Sequence, residues 1–263
     1  MNILQEIAAH TKARIELQKK RLPLDEARAM AQAKCSDTPA FDFERELRRD
    51  GIAFICEVKK ASPSKGVIAE SFPYIDIAKE YEAAGAAAIS VLTEPHYFKG
   101  DDRYLQEIAG AVSIPLLRKD FTVDSYMIYE AKILGASAVL LICAILDKDT
   151  LAEYIRIAHG LGLSALVETH TEAEVEMALA AGARIVGVNN RNLKTFEVDI
   201  SLSERLRKMV PAEIVFVSES GIHCASDVKV LRQNGTDAVL VGEAFMRAPD
   251  KGAVLRQLRG DDI

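Results

Sequence analysis

The sequence predicts a single (β/α)8 TIM barrel, an α/β fold of eight parallel strands alternating with helices, with an N-terminal helical extension. The chain has 263 residues, close to the roughly 250 that one such barrel needs. A glycine followed by a small residue recurs four times, about every two strand–helix units, at Gly85, Gly135, Gly182 and Gly235. Eight short apolar runs accompany this repeat, which is typical of parallel strands covered on both faces.

Each strand is justified by its position in the repeat. A glycine just past a helix supplies a left-handed C-cap, so each repeat glycine marks a helix end before an apolar strand. The four strands that follow these glycines alternate with four runs that end on charged residues. In chain order the predicted strands are Ile52–Lys59, Ala88–Thr93, Pro115–Lys119, Ala138–Ala144, Ala165–Glu168, Ile185–Asn189, Ile214–Glu219 and Ala238–Gly242.

The segments between the strands show the helical spacing of apolar residues, as in Ile77–Ala84. We assign residues 1–47 to the helical extension and residues 48–263 to the barrel, and we expect one structural domain overall. A barrel does not need the extension, so we expect it to cap an end of the barrel or a site. Its predicted helices are one through Ile3, Ile7 and Ile15, one at Leu24–Ala33 and one at Phe43–Arg49.

Composition and charge argue against several classes of protein. The chain has 33 Lys and Arg against 39 Asp and Glu, a net charge of −6, so we expect no nucleic-acid partner. The longest apolar stretch, Ala138–Leu146, is about half of a membrane span, and the charged N-terminus lacks a signal-peptide core. The four cysteines form no CxxC motif, so we expect a cytoplasmic protein. The histidines show no metal spacing, and we interpret His170 as a loop residue.

Charged residues end four of the predicted strands. Glu57 and Lys59 close the first strand, Lys119-Asp120 the third, Glu168 the fifth and Glu219 the seventh. In a closed barrel these ends converge at one mouth, and unpaired buried charges there cost several kcal/mol, which indicates function. Lys119 suits a general acid, an oxyanion partner or a Schiff-base former. Glu168 suits a general base, and Glu219 a group that orients a lysine.

A second group of residues suits an anionic substrate. Ser62 begins a turn with hydroxyl donors, Asn189 offers an amide to a reacting oxygen, and Arg191 offers a planar fork for carboxylate or phosphate. Ser220-Gly221 and Gly242-Glu243 follow the last two strands, where backbone N–H groups of many barrels hold a phosphate. We expect Glu243 to contribute its N–H and to point its carboxylate away.

Five motifs at the strand ends are specific enough to compare with known families. They are Glu57-Val-Lys-Lys-Ala-Ser-Pro-Ser-Lys-Gly66, Leu117-Arg-Lys-Asp-Phe121, Leu166-Val-Glu168, Gly187-Val-Asn-Asn-Arg-Asn-Leu193 and Val217-Ser-Glu-Ser-Gly-Ile222. With these motifs, and over its whole length, the chain resembles the indole-3-glycerol phosphate synthases of tryptophan biosynthesis. The resemblance implies a carboxy-lyase that converts carboxyphenylamino-deoxyribulose phosphate to indole-3-glycerol phosphate, CO2 and water without a cofactor or metal.

The resemblance also implies roles for individual residues. Lys119 takes the position of the general acid at the substrate carbonyl, and Glu168 that of the base. Lys59 takes the position that binds the anionic groups, and it is a rival proton donor. The positions that support catalysis are Asn189, Glu57, Glu219 and Ser220. The positions that hold the anthranilate ring are Phe121 and, by a looser alignment, Phe98 and Leu140.

Two other functions fit the same residues. One is an aldolase of phosphorylated sugars that forms a Schiff base on Lys119. The other is a barrel that binds a phosphorylated ligand without turnover. In all three cases we expect a small phosphorylated molecule as the partner, no nucleic acid and no membrane. The barrel helices and acidic surface are compatible with a monomer or a weak homodimer.

Overall fold

The computed structural model describes residues 3–35, 39–192, 195–248 and 250–260. Within them eight parallel strands close into a barrel with helices packed around it, which confirms the predicted fold. The strands are β1 (Ala53–Val58), β2 (Ala88–Leu92), β3 (Leu116–Lys119), β4 (Ala138–Ile142), β5 (Ser164–Thr169), β6 (Ile185–Asn189), β7 (Val215–Glu219) and β8 (Ala238–Val241). Residues 1–2, 36–38 and 261–263 of the predicted extents, and Leu193 of the sixth-strand motif, lie outside the described residues.

The strands pair in parallel around the whole ring. β1 lies between β2 and β8, and the pair Ala53↔Ala238 closes the barrel. On the opposite side Glu168 of β5 pairs with Gly187 of β6, and Asn189 of β6 pairs with Glu219 of β7. Closure removes free strand edges, and the parallel order places every carboxyl end at one mouth.

Two apolar layers hold the strands. Residues that point inward, such as Leu117, Leu166 and Val217, fill the barrel, and outward residues such as Val167 and Phe216 pack under the helices. The helices of the barrel are α4 (Tyr74–Ala83), α5 (Asp102–Ala109), α6 (Tyr126–Leu134), α7 (Lys148–Gly160), α8 (Glu172–Ala180), α9 (Ser201–Arg207), α10 (Ala225–Gln233), α11 (Glu243–Arg247) and α12 (Lys251–Arg259). The four repeat glycines have left-handed φ values of 82° to 91°, which confirms their predicted place at helix ends.

The N-terminal extension forms three helices that cover both ends of the barrel. They are α1 (Ile3–Arg21), α2 (Leu24–Ala33) and α3 (Asp42–Leu47). Leu4 and Ile7 of α1 pack into the barrel interior from the mouth. At the amino ends of the strands, Phe43 and Leu47 of α3 are fully buried and close the bottom of the barrel. The remaining helix, α2, packs along α6. The extension therefore caps the barrel, as we predicted.

Several predicted strands are shorter in the structure. Lys59, Thr93 and Gly242 lie just beyond β1, β2 and β8. After β4 the chain turns at once into a 3-10 helix at Cys143–Ile145, so the predicted end at Ala144 is wrong. Apolar sequence alone did not show these ends, because a strand stops where neighbouring backbone ceases to pair. The predicted helix at Phe43–Arg49 likewise begins and ends earlier, at Asp42–Leu47.

Candidate active site

A cavity opens at the carboxyl ends of the strands, under α1. It is lined by every residue that the sequence analysis assigned to catalysis or substrate binding, while their roles stay predictions. These residues are Glu57, Lys59, Ser62, Phe98, Lys119, Phe121, Leu140, Glu168, Asn189, Arg191, Glu219, Ser220, Gly221, Gly242 and Glu243. Closure of the barrel brings them together, since they come from all eight strand ends.

Lys119 lies at the centre of a charged cluster on the cavity floor. Its Nζ donates to Oε2 of Glu168 and to Oε2 of Glu219, each at 3.0 Å. The three side chains are 12%, 4% and 2% exposed, respectively. Alternation along each strand turns these side chains inward, and hydrogen bonds to ionised groups this well buried are strong. The sequence predicts that these charges meet at one mouth, and the structure shows which of them are in contact.

The two carboxylates that share the Lys119 ammonium have pKa values shifted in opposite directions. Burial by itself lowers the pKa of Lys119, but Glu219 and Glu168 outweigh burial and hold it above its usual range. Burial raises the pKa of Glu168, yet Lys119 and His170 beside it bring the pKa below its usual range. Burial, with the charge of Glu168, raises the pKa of Glu219 to about 7. The site thus holds one firmly ionised carboxylate and one near its titration point.

The raised pKa of Glu219 predicts a pH-dependent change in stability. Between pH 4.5 and 7 the folded chain keeps a proton that the unfolded chain has lost, so this residue makes wild type less stable as pH rises. Glu219→Gln does not titrate. We therefore expect its free energy of unfolding, relative to wild type, to increase by up to about 3 kcal/mol across this window. Urea unfolding at several pH values measures it, and an unchanged difference would contradict the raised pKa.

Lys59 and Glu57 form a second ion pair on the other side of the mouth. Lys59 Nζ donates to Oε1 of Glu57, and the two side chains are 17% and 5% exposed. Gly242 lies against this pair, since a Cβ there would stand 2.4 Å from Oε1 of Glu57 and 3.1 Å from Nζ of Lys59. A glycine is needed because the backbone approaches the two charged groups so closely.

The close approach at Gly242 predicts a large effect of one methyl group. Gly242→Ala must displace the Glu57–Lys59 pair, and we expect KM to rise by on the order of 10-fold. Gly160→Ala is the matched control, because the space around Gly160 at the end of α7 is open. Steady-state kinetics of both variants give the comparison. An unchanged KM in Gly242→Ala would show that the pair does not contact substrate.

Asn189 and Ser220 form a polar bridge beside the floor. Oδ1 of Asn189 accepts from Oγ of Ser220 at 2.9 Å and from the backbone N–H of Arg191 at 3.1 Å. The Arg191 guanidinium donates to the carbonyl of Phe196 at 3.2 Å and stands at the rim. The neighbouring Asn190 shapes the turn, since its buried amide donates to Oγ of Ser218 and to the carbonyl of Ser220, each at 3.0 Å.

The last two loops carry the residues for which the sequence predicts a phosphate cup, and both loops line the cavity. Ser220-Gly221 follows β7 with positive φ at both residues, and Gly242-Glu243 joins β8 to α11. The Glu243 carboxylate forms ion pairs with Lys65 at 3.6 Å and with Arg247 at 3.3 Å. Binding of a phosphate by the backbone N–H groups of these loops stays a prediction.

An apolar wall faces the charged floor. The rings of Phe98 and Phe121 lie 6.1 Å apart, and Leu140 is buried beside them in the barrel interior. Two further apolar residues, Leu4 and Ile7 of α1, also line the cavity, and the sequence analysis did not assign them to the site. Their helical spacing was visible, but only the fold shows which surface they cover.

Two further residues that shape the cavity were also missed. Glu94 is buried and accepts the backbone N–H groups of His96, Tyr97 and Phe98, so it holds the loop that carries Phe98. Gly187 lies inside β6, and a Cβ there would stand 2.5 Å from Oε1 of Glu219. A glycine inside an apolar strand is the signal that could have found it.

The described part of the chain contains neither a metal-binding cluster nor a membrane-spanning helix. Among the residues that the structure describes, no group of three His, Cys, Asp or Glu side chains is arranged to hold a metal ion. Of the helices in that same part of the chain, none is both long and apolar enough to cross a membrane.

A (β/α)8 barrel with two ammonium groups and three carboxylates in a cavity at its mouth has the architecture of a barrel enzyme. A sequence model of the family described as indole-3-glycerol phosphate synthase matches residues 4–258. The chain therefore belongs to the indole-3-glycerol phosphate synthase family. It is a carboxy-lyase of tryptophan biosynthesis. Of the three functions compatible with the sequence, the synthase is therefore the right one, and the aldolase and the barrel without turnover are not.

Individual relatives agree with this family. The chain is 60% identical over 258 residues to the indole-3-glycerol phosphate synthase of Ruminiclostridium cellulolyticum, covering 98% of this chain and 99% of the relative. It is 53% identical to that of Endomicrobium trichonymphae, with the same coverage. Among solved structures, 3-hexulose-6-phosphate synthase from Salmonella typhimurium has the same fold, with a TM-score of 0.66 at 17% identity over 80% of this chain and 97% of that one.

Proposed function

We propose that Lys119 is the general acid and Glu168 the general base of the synthase reaction. The observation that carries this proposal is the Lys119 ammonium, held 3.0 Å from two buried carboxylates and open to the cavity. The neighbouring carboxylates keep the lysine protonated, so it has a proton to give at neutral pH. The low pKa of Glu168 keeps this carboxylate free to accept one.

The two ends of the cavity suit the two ends of the substrate. Backbone donors near Gly221 and Gly242 suit the phosphate, and Arg191 and Ser62 stand at the same mouth with further donors. Across the floor, Phe98, Phe121 and Leu140 suit the anthranilate ring. This orientation puts the ketone of the sugar between ring and phosphate, over Lys119.

The chemistry follows from that orientation. The ring carbon bonds to the ketone carbon while Lys119 gives its proton to the ketone oxygen, which becomes a hydroxyl. Carbon dioxide then leaves, and its bonding electrons return to the ring. Glu168 then takes a proton from the CH2 carbon beside the nitrogen, and the electrons of that C–H bond form the double bond of the indole. The hydroxyl departs as water with a second proton from Lys119, which solvent has reprotonated after the first step. Each acid or base contributes roughly 10²–10⁴-fold to the rate.

The ion pair of Lys59 with Glu57 gives Lys59 a different role from Lys119. It lies against the phosphate cup at Gly242 rather than on the floor, so we assign it to binding of the anionic groups. Glu219 holds Lys119, and Asn189 and Ser220 hold the loop beside them. The proposal also includes one structural domain, a cytoplasmic location, and a monomer or weak homodimer that needs no cofactor or metal.

A fluorescence assay for indole-3-glycerol phosphate tests the proposal. Purified protein, the carboxyphenylamino sugar phosphate and EDTA are mixed, and product formation is followed. Turnover at an unchanged rate with EDTA supports a mechanism that uses side chains alone, whereas loss of turnover that a divalent metal restores would overturn it. Lys59→Ala is expected to raise KM more than it lowers kcat, and the reverse pattern would make Lys59 the acid.

A further inference from the structure

His170 stands directly behind the floor of the cavity, between two carboxylates. Its Nε2 lies 3.4 Å from Oε1 of Glu168, and its Nδ1 lies 3.3 Å from Oε2 of Glu174 on α8. The same Glu174 oxygen accepts the backbone N–H of His170 at 2.6 Å. The imidazole is 15% exposed. Its ring is thus held from one side by Glu174 and directed at Glu168 on the other.

This geometry favours a proton on the side of His170 that faces Glu168. Glu174 is an acceptor, so Nδ1 of His170 carries a hydrogen toward it. Nε2 has no hydrogen-bond partner among the described residues, and a bare Nε2 would face the Glu168 carboxylate lone pair to lone pair. A second hydrogen, on Nε2, removes that repulsion and makes the ring an imidazolium between two carboxylates.

The surroundings of His170 favour its charged form. Burial disfavours the imidazolium, but Glu174 and Glu168 outweigh burial, with a further contribution from Glu219, and together they raise the pKa of His170 above its usual value. Of the other charged and titratable groups packed around this site, Lys119 binds the far oxygen of Glu168. The Cys143 thiol donates to the Glu174 carbonyl, and burial raises its pKa, so it stays neutral.

We propose that His170 is a positioning residue for the base Glu168. Lys119 donates to Oε2 of Glu168 from the cavity side, and Nε2 of His170 lies 3.4 Å from Oε1 on the other side, so each carboxylate oxygen faces a cationic group. His170 does not line the cavity and therefore acts through Glu168 rather than on the substrate. This inference rests on the proposed role of Glu168.

The role has a consequence for the pH dependence of the reaction. When His170 loses its proton at alkaline pH, Oε1 of Glu168 loses the cation that faces it, and the orientation of the carboxylate then depends on Lys119 and Asn189 alone. We expect kcat to fall on the alkaline side with the titration of His170, well before Lys119 loses its proton. KM is expected to stay nearly constant, because the imidazole does not contact substrate.

Two variants separate positioning from simple packing. In His170→Gln the amide N–H donor takes the place of Nε2–H without titrating, so we expect kcat at pH 7 within about threefold of wild type and no alkaline fall from this residue. In His170→Phe the donor is gone, and we expect kcat to drop by roughly 10- to 100-fold with little change in KM. His159→Gln, at the far end of α7, is the matched control and should keep the wild-type profile.

The results decide the proposal in either direction. It is overturned if His170→Phe keeps the wild-type kcat, or if His170→Gln keeps the alkaline fall. Nitrogen-15 NMR of the wild-type protein gives a readout independent of activity: both ring nitrogens of His170 should be protonated at pH 7, and a neutral ring would contradict the imidazolium. If Glu168→Gln itself keeps full activity, the assignment of the base has failed rather than the role of His170.

Discussion

Lys119→Ala is expected to lower kcat by roughly 10²–10⁴-fold while KM changes far less. The variant removes the Lys119 ammonium, which we propose gives its proton to the ketone of the substrate. Substrate binding depends mainly on the phosphate cup and the apolar wall, which the substitution leaves in place. Two buried carboxylates then face each other without their shared ammonium, so Glu219 takes up a proton at neutral pH and limits the loss of stability.

Steady-state kinetics at pH 7 measure this effect, with circular dichroism to confirm that the variant is folded. Lys148→Ala is a suitable control, because Lys148 is an exposed lysine at the start of α7. A folded Lys119→Ala protein with wild-type kcat would show that another group donates the proton. Borohydride should not trap substrate on Lys119, since the reaction forms no Schiff base at this residue.

Glu168→Gln is expected to lower kcat by a similar factor, roughly 10²–10⁴-fold. Glutamine has nearly the same shape, and its amide oxygen still accepts from Lys119, so the floor keeps its packing. What disappears is a group able to take up the proton in the dehydration. We expect the decarboxylated but still hydrated intermediate to accumulate, because ring closure precedes the step that needs the base.

Rapid quenching followed by mass spectrometry detects that intermediate as product plus one water. Glu172→Gln changes an exposed carboxylate on α8, four residues along the chain, and should leave kcat unchanged. If Glu168→Gln retains the wild-type kcat, Glu168 is not the base. If activity falls but only substrate remains, the base acts at ring closure and the proposed order of steps is wrong.

The barrel and the position of its mouth could be predicted because they depend on short-range patterns. Gly135 and Gly182 follow helices at the spacing of two strand–helix units, and each is followed by an apolar strand. Lys119 and Glu168 directly end such strands. Once the strands are parallel and the ring is closed, those side chains have no other place than the mouth.

Asp120 illustrates what the sequence could not show. It follows Lys119 directly, yet its carboxylate is buried and accepts from Arg14 of α1 and from Thr93, each at 2.7 Å. Arg14 lies more than a hundred positions earlier in the chain. Strand alternation predicts that the two neighbours point apart, but it does not reveal that a helix of the extension meets Asp120.

The sequence alone determined the fold class, the order of the strands and the charged and polar groups that gather at the mouth, since these follow from periodicity, glycine positions and motif spacing. Tertiary structure alone decided that Lys119 bridges Glu168 and Glu219, that α1 roofs the apolar wall, and that His170 stands behind the base. The physical reason is that local patterns act over a few residues. Hydrogen bonds and packing depend on distances in space, which are set when the ring closes and the extension docks.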